Sequence, residues 1–519
     1  MQTWMEGYTS DIEYTGKYYE QLNPDYLNMC AVLSNVEVVD TSKKFVYCEL
    51  GCGQGFSALV NASLYPQSTF YAIDYNPTHI AHARFIAESA GLDNIVFLEK
   101  SFQELIDEPT LLPQVDFMVF HGIFTWVNDA NRKNLIELCS RHVKSGGLVY
   151  NSYNAKPGWL NNEPIQQLIW RLSKEYAGGN SLETMGQIIN TLDNLSKLDL
   201  GYFNFSKKSI TKSLKKIKTS DANYVVHEYL HESWKAFYFT EVSEQMKSAK
   251  FDFLCMAKAT ETYVDKFMKE ELPTPIENMV KLPENRELVK DLIVNTNFRW
   301  DIYIRGTTKK LSVFERMQWF LDKKWYLLKK EIPEKFEYKL SLGLFKGNQS
   351  VYRPIYETLL SKKYLTTREL IETTKLDIAD VIQTLIFLYE QNDVAIYYGE
   401  VAKSRANELN KVIIKNVFNG SNFRYVVLPY LRKTYKINEQ ILLWLDGLNK
   451  GLTESKDLVR YIYGEFISRG LGLSKDGKPV NGDDMIKMLE DFEKIWKEHL
   501  LSYFIEVGVI KKATKKRKK

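Results

Sequence analysis

The chain is poor in cysteine: five residues in 519, Cys30, Cys48, Cys52, Cys139 and Cys255, odd in number and without a CxxC pair. Such usage supports neither a disulfide framework nor a zinc site, so no metal is expected and a reducing, cytoplasmic setting fits best. No uninterrupted apolar stretch approaches the roughly 20 residues that cross a bilayer, and no apolar core follows a basic N-terminal segment, so neither a membrane span nor secretion of the chain is expected. An excess of basic charge is confined to one place. The formal net charge is +4, but the last nine residues, KKATKKRKK, carry seven Lys or Arg, and the body without them has 62 basic against 65 acidic residues. A run of this kind is either a contact for an anionic partner or a solvated terminus.

What is present is a folded, multidomain composition, with 45% apolar and 13% aromatic residues over a length ample for two or three packed domains. From Phe45 the pattern alternates strand and helix: VYCEL, a helix from about Phe56 to Tyr65, TFYAID, a helix opening at Pro77 after Asn76, NIVFLE, VDFMVF, a helix from Asn131, and GGLVYNSYN. This alternation predicts an α/β fold with a parallel sheet covered by helices on both faces. Residues 161–220 read as a polar, mostly helical insert with lysines concentrated from Lys207 to Lys218. Residues 221–260 have strand, helix, strand character, with Thr240 capping the helix and FDFLCMA returning to the same sheet. Residues 261–345 read as a helical middle domain that includes ENRELVKDLIVNTNFRWDIYIRG as one amphipathic element, and 346–519 as a helical, winged-helix-like domain ending in the basic tail. Within the last, Leu376 to Asp393 is the second helix of a helix-turn-helix but holds no Lys or Arg. Reading DNA through it is therefore not expected, since phosphate and base contacts need those residues.

The most specific stretch is VYCELGCGQG, residues 46–55: a short strand ending in Glu49 runs into a loop containing Gly51, Gly53 and Gly55. Glycines at such a loop let the backbone turn sharply and approach a ligand that a Cβ would push away. Nineteen residues beyond Gly55, the second strand ends in Asp74, where an acidic residue binds two ribose hydroxyls in nucleotide folds.

The runs ELGCGQG, FYAIDYNPTHIAHAR, FHGIFTWV, SYNAKPGW and HEYLHESWKAFYF, spread over about residues 5–305, resemble bacterial class I methyltransferases that carry a methyltransferase regulatory domain. Length, insert and the lysine-rich C-terminal half are further similar to rickettsial lysine methyltransferases that modify outer-membrane autotransporter proteins. The resemblance implies a Rossmann-like sheet, S-adenosylmethionine as methyl donor with S-adenosylhomocysteine as product, a helical insert supporting homodimers, and C-terminal domains that present a protein substrate.

On that basis Gly51, Cys52, Gly53 and Gly55 are assigned to the methionine and ribose side of the cofactor, with Glu49 near its ammonium group, Asp74 on the ribose, and Tyr75 or Asn76 beside the adenine. Ser101 and Phe102 follow the third strand, where many relatives place an Asp on the adenine amino group, so the serine is a departure. His121 to Trp126, after the fourth strand, lacks both the Asn- or Asp-Pro-Pro-aromatic motif of adenine- or glutamine-methylating enzymes and the Pro-Cys of cytosine-5 enzymes, which counts against nucleobase methylation. His121 either orients a substrate amine and lines the sulfonium or is a satisfied strand-end histidine. Tyr153, Asn154 and Trp159 form another loop edge, and Tyr8, Tyr14, Tyr18 and Tyr19 an N-terminal segment over the cofactor, where rings attract cations by about 0.5–2 kcal/mol each. His227 and Glu228 are candidates to position an ammonium group. Four readings stay open: a protein-lysine methyltransferase, a small-molecule methyltransferase, a non-catalytic cofactor sensor and, supported only by the basic tail, a nucleic-acid methyltransferase.

Overall fold

The computed structural model describes residues 16–176, 181–220, 222–260, 274, 276–306, 309–340, 343–400, 403–475 and 478–510. Tyr8, Tyr14 and the basic run 511–519 lie outside these, as does the side chain of His227.

Seven strands, β1 (Val46–Leu50), β2 (Thr69–Asp74), β3 (Ile95–Glu99), β4 (Val115–Phe120), β5 (Val143–Asn154), β6 (Phe251–Met256) and β7 (Phe298–Arg305), form one sheet in the order β3-β2-β1-β4-β5-β7-β6. β1 to β5 pair in parallel, and β7 is antiparallel to both of its neighbours. Side chains alternate across a strand, and both faces here are buried. On β1 and β4, Tyr47, Phe117 and Val119 join one apolar core, while Cys48, Leu50, Met118 and Phe120 join another on the opposite face. The first core is continuous from Leu22 to Val507, so the C-terminal half packs onto the sheet layer without a break.

The insert folds as helices Glu163–Glu175, Ser181–Lys197, Gly201–Phe205 and Lys207–Thr219 around a separate apolar cluster. Two expectations need correction next to it. YVVHEYL, read as a strand, lies in the helix Ala222–Tyr229, because Val225 and Val226 fill the insert cluster and tertiary packing overrides β-branched propensity. The next helix, Phe239–Ser248, is capped by Tyr238 and not by Thr240. ENRELVKDLIVNTNFRWDIYIRG is also not one helix. Pro283–Val294 ends at Asn295 in the left-handed region (φ 52°), which Asn tolerates, and FRWDIYIR becomes β7. Aromatic and β-branched residues in period-two alternation suit a strand, and β7 is the sheet's link between β5 and β6.

In the C-terminal half, helices Thr367–Thr374 and Ile378–Glu390 are followed by strand Val394–Ile396, which pairs with Lys324–Leu327 in a three-stranded sheet. The second helix buries Val381, Ile382 and Thr384 to Tyr389, a packing surface. This half grips the N-terminal segment: Tyr389 Oη donates to Glu20 Oε1 (2.7 Å), Lys433 Nζ lies 2.9 Å from the same oxygen, Arg432 Nη1 pairs with Asp25 Oδ2 (2.7 Å), and Tyr26 Oη donates to Glu390 Oε1 (2.5 Å).

Under β7, Arg299 is fully buried and pairs with Asp301 (2.9 Å), Asp291 (2.8 Å) and Glu287 (2.9 Å), while Tyr153 Oη donates to Asp301 (2.5 Å). Removing Arg299 strands Asp291 and Asp301 in the interior, whereas Glu287 keeps Lys290 at 3.0 Å. Arg299→Met is therefore expected to lower unfolding free energy by about 3–5 kcal/mol, the scale for breaking a buried ion pair from one side. A urea midpoint equal to that of the wild type would refute the network's contribution.

Candidate active site

The strand order reverses at β1, whose neighbours β2 and β4 are approached by crossovers leaving in opposite directions, and a crevice opens at its C-terminal end. The glycine loop occupies that end. Gly51, Gly53 and Gly55 all have positive φ (69°, 55° and 72°), and Gly55 starts the helix Phe56–Leu64. A Cβ on Gly51 would fall 2.4 Å from Ile123, and one on Gly55 2.7 Å from Phe97, whereas nothing lies within 4 Å of one built on Gly53. Two of the glycines are thus required by protein packing as well as by backbone shape, and Gly53 leaves open space.

The crevice is lined by Tyr19, Glu49, Gly51, Cys52, Gly53, Asp74, Tyr75, Ser101, Phe102, His121 and Trp126 among the expected residues, and by Gly16, Lys17, Gln54, His79, Ile123, Asn128 and Asn131 in addition. Asp74 is held from several sides: Gly53 N–H donates to Oδ2 (2.9 Å), Asn76 N–H donates to Oδ1 (2.9 Å), and His79 Nδ1 is 3.4 Å from Oδ1. Asn76 itself caps the helix Pro77–Ser89, accepting from Thr78 N–H, and does not line the crevice. Ser101 caps the helix Phe102–Asp107 in a reciprocal capping box with Glu104. Glu49 is treated very differently from Asp74. It is 5% exposed, and among the described residues its carboxylate has no hydrogen-bond or ionic partner. Burial, with the Asp74 charge adding to it, pushes its carboxyl up to about 8. Among the described residues Gln54 Oε1 is likewise buried without a partner. An orphaned carboxylate and an orphaned carbonyl beside an open glycine loop fit a ligand that brings a cation and a donor to that point.

At the other end of the crevice, His121 follows β4 directly. Its Nδ1 lies 2.9 Å from Tyr150 Oη and 3.1 Å from Ser152 Oγ, the Tyr19 ring packs on it with centroids 3.8 Å apart, and desolvation pushes its imidazole down to about 3. The loop Phe124–Trp126 is stapled by buried Arg132, whose Nε donates to Phe124 O (2.8 Å) and whose Nη2 donates to Ser233 O (2.8 Å). Behind it, Asn154 N–H donates to Thr125 Oγ1 and Asn154 Nδ2 to Glu228 Oε1, both at 2.8 Å. Glu228 is buried, and desolvation pushes its carboxyl up to about 7.

Not every expected residue reaches the crevice. Tyr153 points into the opposite core toward Asp301, one strand position out of phase with the His121 side. Trp159 packs on Trp234 (4.7 Å) and Tyr229 in the insert cluster. Asn154 and Glu228 form their pair behind the loop and not on its lining. Tyr18 turns toward Asn23 and Asn61, and its neighbour Tyr19 takes the lining position. Gly55 sits at the helix start beneath the loop. The added residues carried little signal of their own; Asn128, the N-cap of the helix Asp129–His142, and Gln54 inside the glycine motif were the readable ones.

Known proteins match this arrangement. A methyltransferase domain model fits residues 41–216, and a model described as a predicted methyltransferase regulatory domain fits residues 221–305. An uncharacterized protein of Synechocystis sp. is 32% identical over 489 residues, covering 92% of this chain and 94% of its own length. The chain belongs to the class I S-adenosylmethionine-dependent methyltransferases that carry a regulatory domain. In this methyltransferase the regulatory segment contains β6 and β7, so it completes the sheet. A second relative, an uncharacterized protein of Rickettsia prowazekii, is 25% identical over 248 residues, 47% of this chain and 95% of that protein. Among solved structures, PKMT2 from Rickettsia typhi in complex with AdoHcy shares the fold with a TM-score of 0.69 at 19% identity, over 96% of this chain and 99% of that one.

Two expected outcomes follow from the carboxylates. Asp74→Ala should raise the cofactor dissociation constant at least roughly tenfold, the scale of one hydrogen bond to a charged group; an unchanged value in calorimetry would remove Asp74 from the ligand. The free methyltransferase holds Glu49 protonated where an unfolded chain ionises it, so this group's contribution to stability is lost as pH rises from the ordinary carboxyl range through about 8. A bound cation reverses the preference. At neutral pH, S-adenosylmethionine binding should release about one proton, seen as binding enthalpies that vary with buffer ionisation enthalpy, and Glu49→Gln should abolish that variation.

Proposed function

We propose that this methyltransferase transfers methyl groups to lysine side-chain amines of a bacterial outer-membrane or surface protein. The observation that carries the reading is the build of the C-terminal half: more than a third of the chain shares one apolar core with the cofactor crevice and grips the segment that walls it. A small acceptor needs a pocket only, whereas a protein acceptor needs a surface fixed relative to the reaction centre. PKMT2, whose fold runs along the same length, supports the reading.

In this reading Glu49 would take the ammonium group of S-adenosylmethionine, Gly51 to Gly53 its amino-acid and ribose portion, Asp74 the ribose hydroxyls, and Tyr75, Ser101 and Phe102 the adenine. The cofactor supplies a methyl group on a sulfonium when bound. The chain supplies placement and a suitable protonation state. A free lysine, with pKa near 10.4, is neutral roughly once in a thousand molecules at pH 7.4, a cost of about 4 kcal/mol. Enclosure by Tyr19, Trp126 and an uncharged His121 lowers that cost, because desolvation disfavours the ammonium form. Glu228 pairs with Asn154 behind the loop and does not reach the crevice, so its part is to hold the Thr125 loop in place and not to touch the ammonium group.

The test is transfer from radiolabelled S-adenosylmethionine to recombinant surface-protein fragments and cell extract, followed by protease or nuclease treatment and amino-acid analysis. Protease-sensitive label recovered as methyl-lysine is expected. Label confined to small molecules would move the activity to a small-molecule acceptor, and cofactor binding with no label in any fraction would favour a sensor. His121→Ala should lower turnover more than cofactor affinity; equal losses in both would take His121 off the acceptor side.

A further inference from the structure

The assignment of His121 to the acceptor end raises the question of which ring nitrogen carries its proton, and the residues beneath it answer. Gly122 N–H donates to Ser152 Oγ at 2.8 Å, which leaves that oxygen one free lone pair. The Ser152 and Tyr150 hydroxyls both face His121 Nδ1, at 3.1 and 2.9 Å. Among the described residues the buried Tyr150 hydroxyl reaches no acceptor other than this nitrogen and the Ser152 oxygen beside it.

Two hydroxyl protons must therefore be placed inside a cluster of three atoms. If Nδ1 is bare, Tyr150 donates to it, Ser152 donates to Nδ1 or to the Tyr150 oxygen, and each proton has an acceptor. If Nδ1 carries a proton, three donors point at two oxygens, one of which already accepts from Gly122, and two hydroxyls cannot donate to each other at once. One buried hydroxyl is then stranded, at a cost of about 1–3 kcal/mol. Nε2 has no protein partner among the described residues, and His121 lines the crevice.

We propose that Tyr150 and Ser152 are positioning residues that lock His121 in the tautomer protonated at Nε2, so that the crevice is offered a neutral hydrogen-bond donor and not a base. The imidazole then serves an acceptor atom of the incoming substrate, such as a peptide carbonyl oxygen flanking the methylated side chain, and the amine's proton leaves by another route. This rests on the lysine reading for the substrate's identity, but the tautomer does not.

The experiment is a two-bond proton–nitrogen correlation spectrum of the histidines in the full chain, with and without S-adenosylhomocysteine, assigned by comparison with His121→Gln. The expected spectrum has His121 protonated at Nε2 and bare at Nδ1 throughout about pH 5 to 8, unlike a free histidine, which titrates there. Protonation at Nδ1, or an imidazolium in that range, would overturn the lock. The double variant Tyr150→Phe, Ser152→Ala should show mixed tautomers with unchanged circular dichroism; retention of a single Nε2-protonated form would remove the two hydroxyls from the role. On a methylated acceptor, His121→Gln, which keeps a donor near the Nε2 position, should retain at least roughly tenfold more turnover than His121→Leu, the scale of one hydrogen bond. Equal loss in both would point to a base. Failure to find any acceptor sinks the lysine reading, and the spectrum still decides the tautomer.

Discussion

A strand buried on both faces, with its neighbours reached in opposite directions, is the constraint from which the rest of this methyltransferase follows. β1 sits between β2 and β4, and its alternate side chains belong to different apolar cores. A chain leaving such a strand must turn at once, because helices cover both faces of the sheet. The turn is made by glycines with positive φ, and at two of them Ile123 and Phe97 occupy the space where a Cβ would go. The crevice is thus a by-product of sheet topology, and its floor is backbone.

Two carboxylates share that crevice, and the fold handles them asymmetrically. Asp74 accepts from the Gly53 and Asn76 N–H groups and has His79 Nδ1 3.4 Å away, so it is partnered within the protein. Glu49 receives nothing among the described residues and carries the cost of burial. A buried carboxylate without a partner is retained where a ligand provides one. The wall facing these groups, Gly16 to Tyr19, continues into Glu20 and Asp25, which are bonded to Tyr389, Lys433 and Arg432 of the C-terminal half. The Gly16 position is so tight against Asn422 and Phe423 that a Cβ there would overlap both. Cofactor crevice and C-terminal half are one mechanical unit.

Much of this was legible in the chain. ELGCGQG and the acid after TFYAID mark the crevice because glycine spacing and strand length are local properties, and Pro77 after Asn76 marks a helix start for the same reason. Side-chain direction was not legible. Tyr153 lies at the end of the right strand and Trp159 beyond it, yet both face other cores, and Tyr18 yields the lining place to Tyr19, since a single step along an extended chain exchanges one face for the other. β7 was hidden as well, because Asn295 breaks a helical pattern through a backbone conformation that composition does not display.

The sequence by itself determined the class of sheet, the glycine loop and the acidic residue on the second strand, all of which depend on short-range spacing and on backbone sterics; the methyl-donor cofactor followed from the resemblance to a family that those residues carry. Only the tertiary structure decided that the regulatory segment completes the sheet, that the C-terminal half holds the N-terminal wall, and that Glu49 has no partner among the described residues while His121 rests on Tyr150 and Ser152. Those outcomes depend on which distant segments exclude water from one another. Burial then sets which polar groups find partners, and no local pattern encodes that.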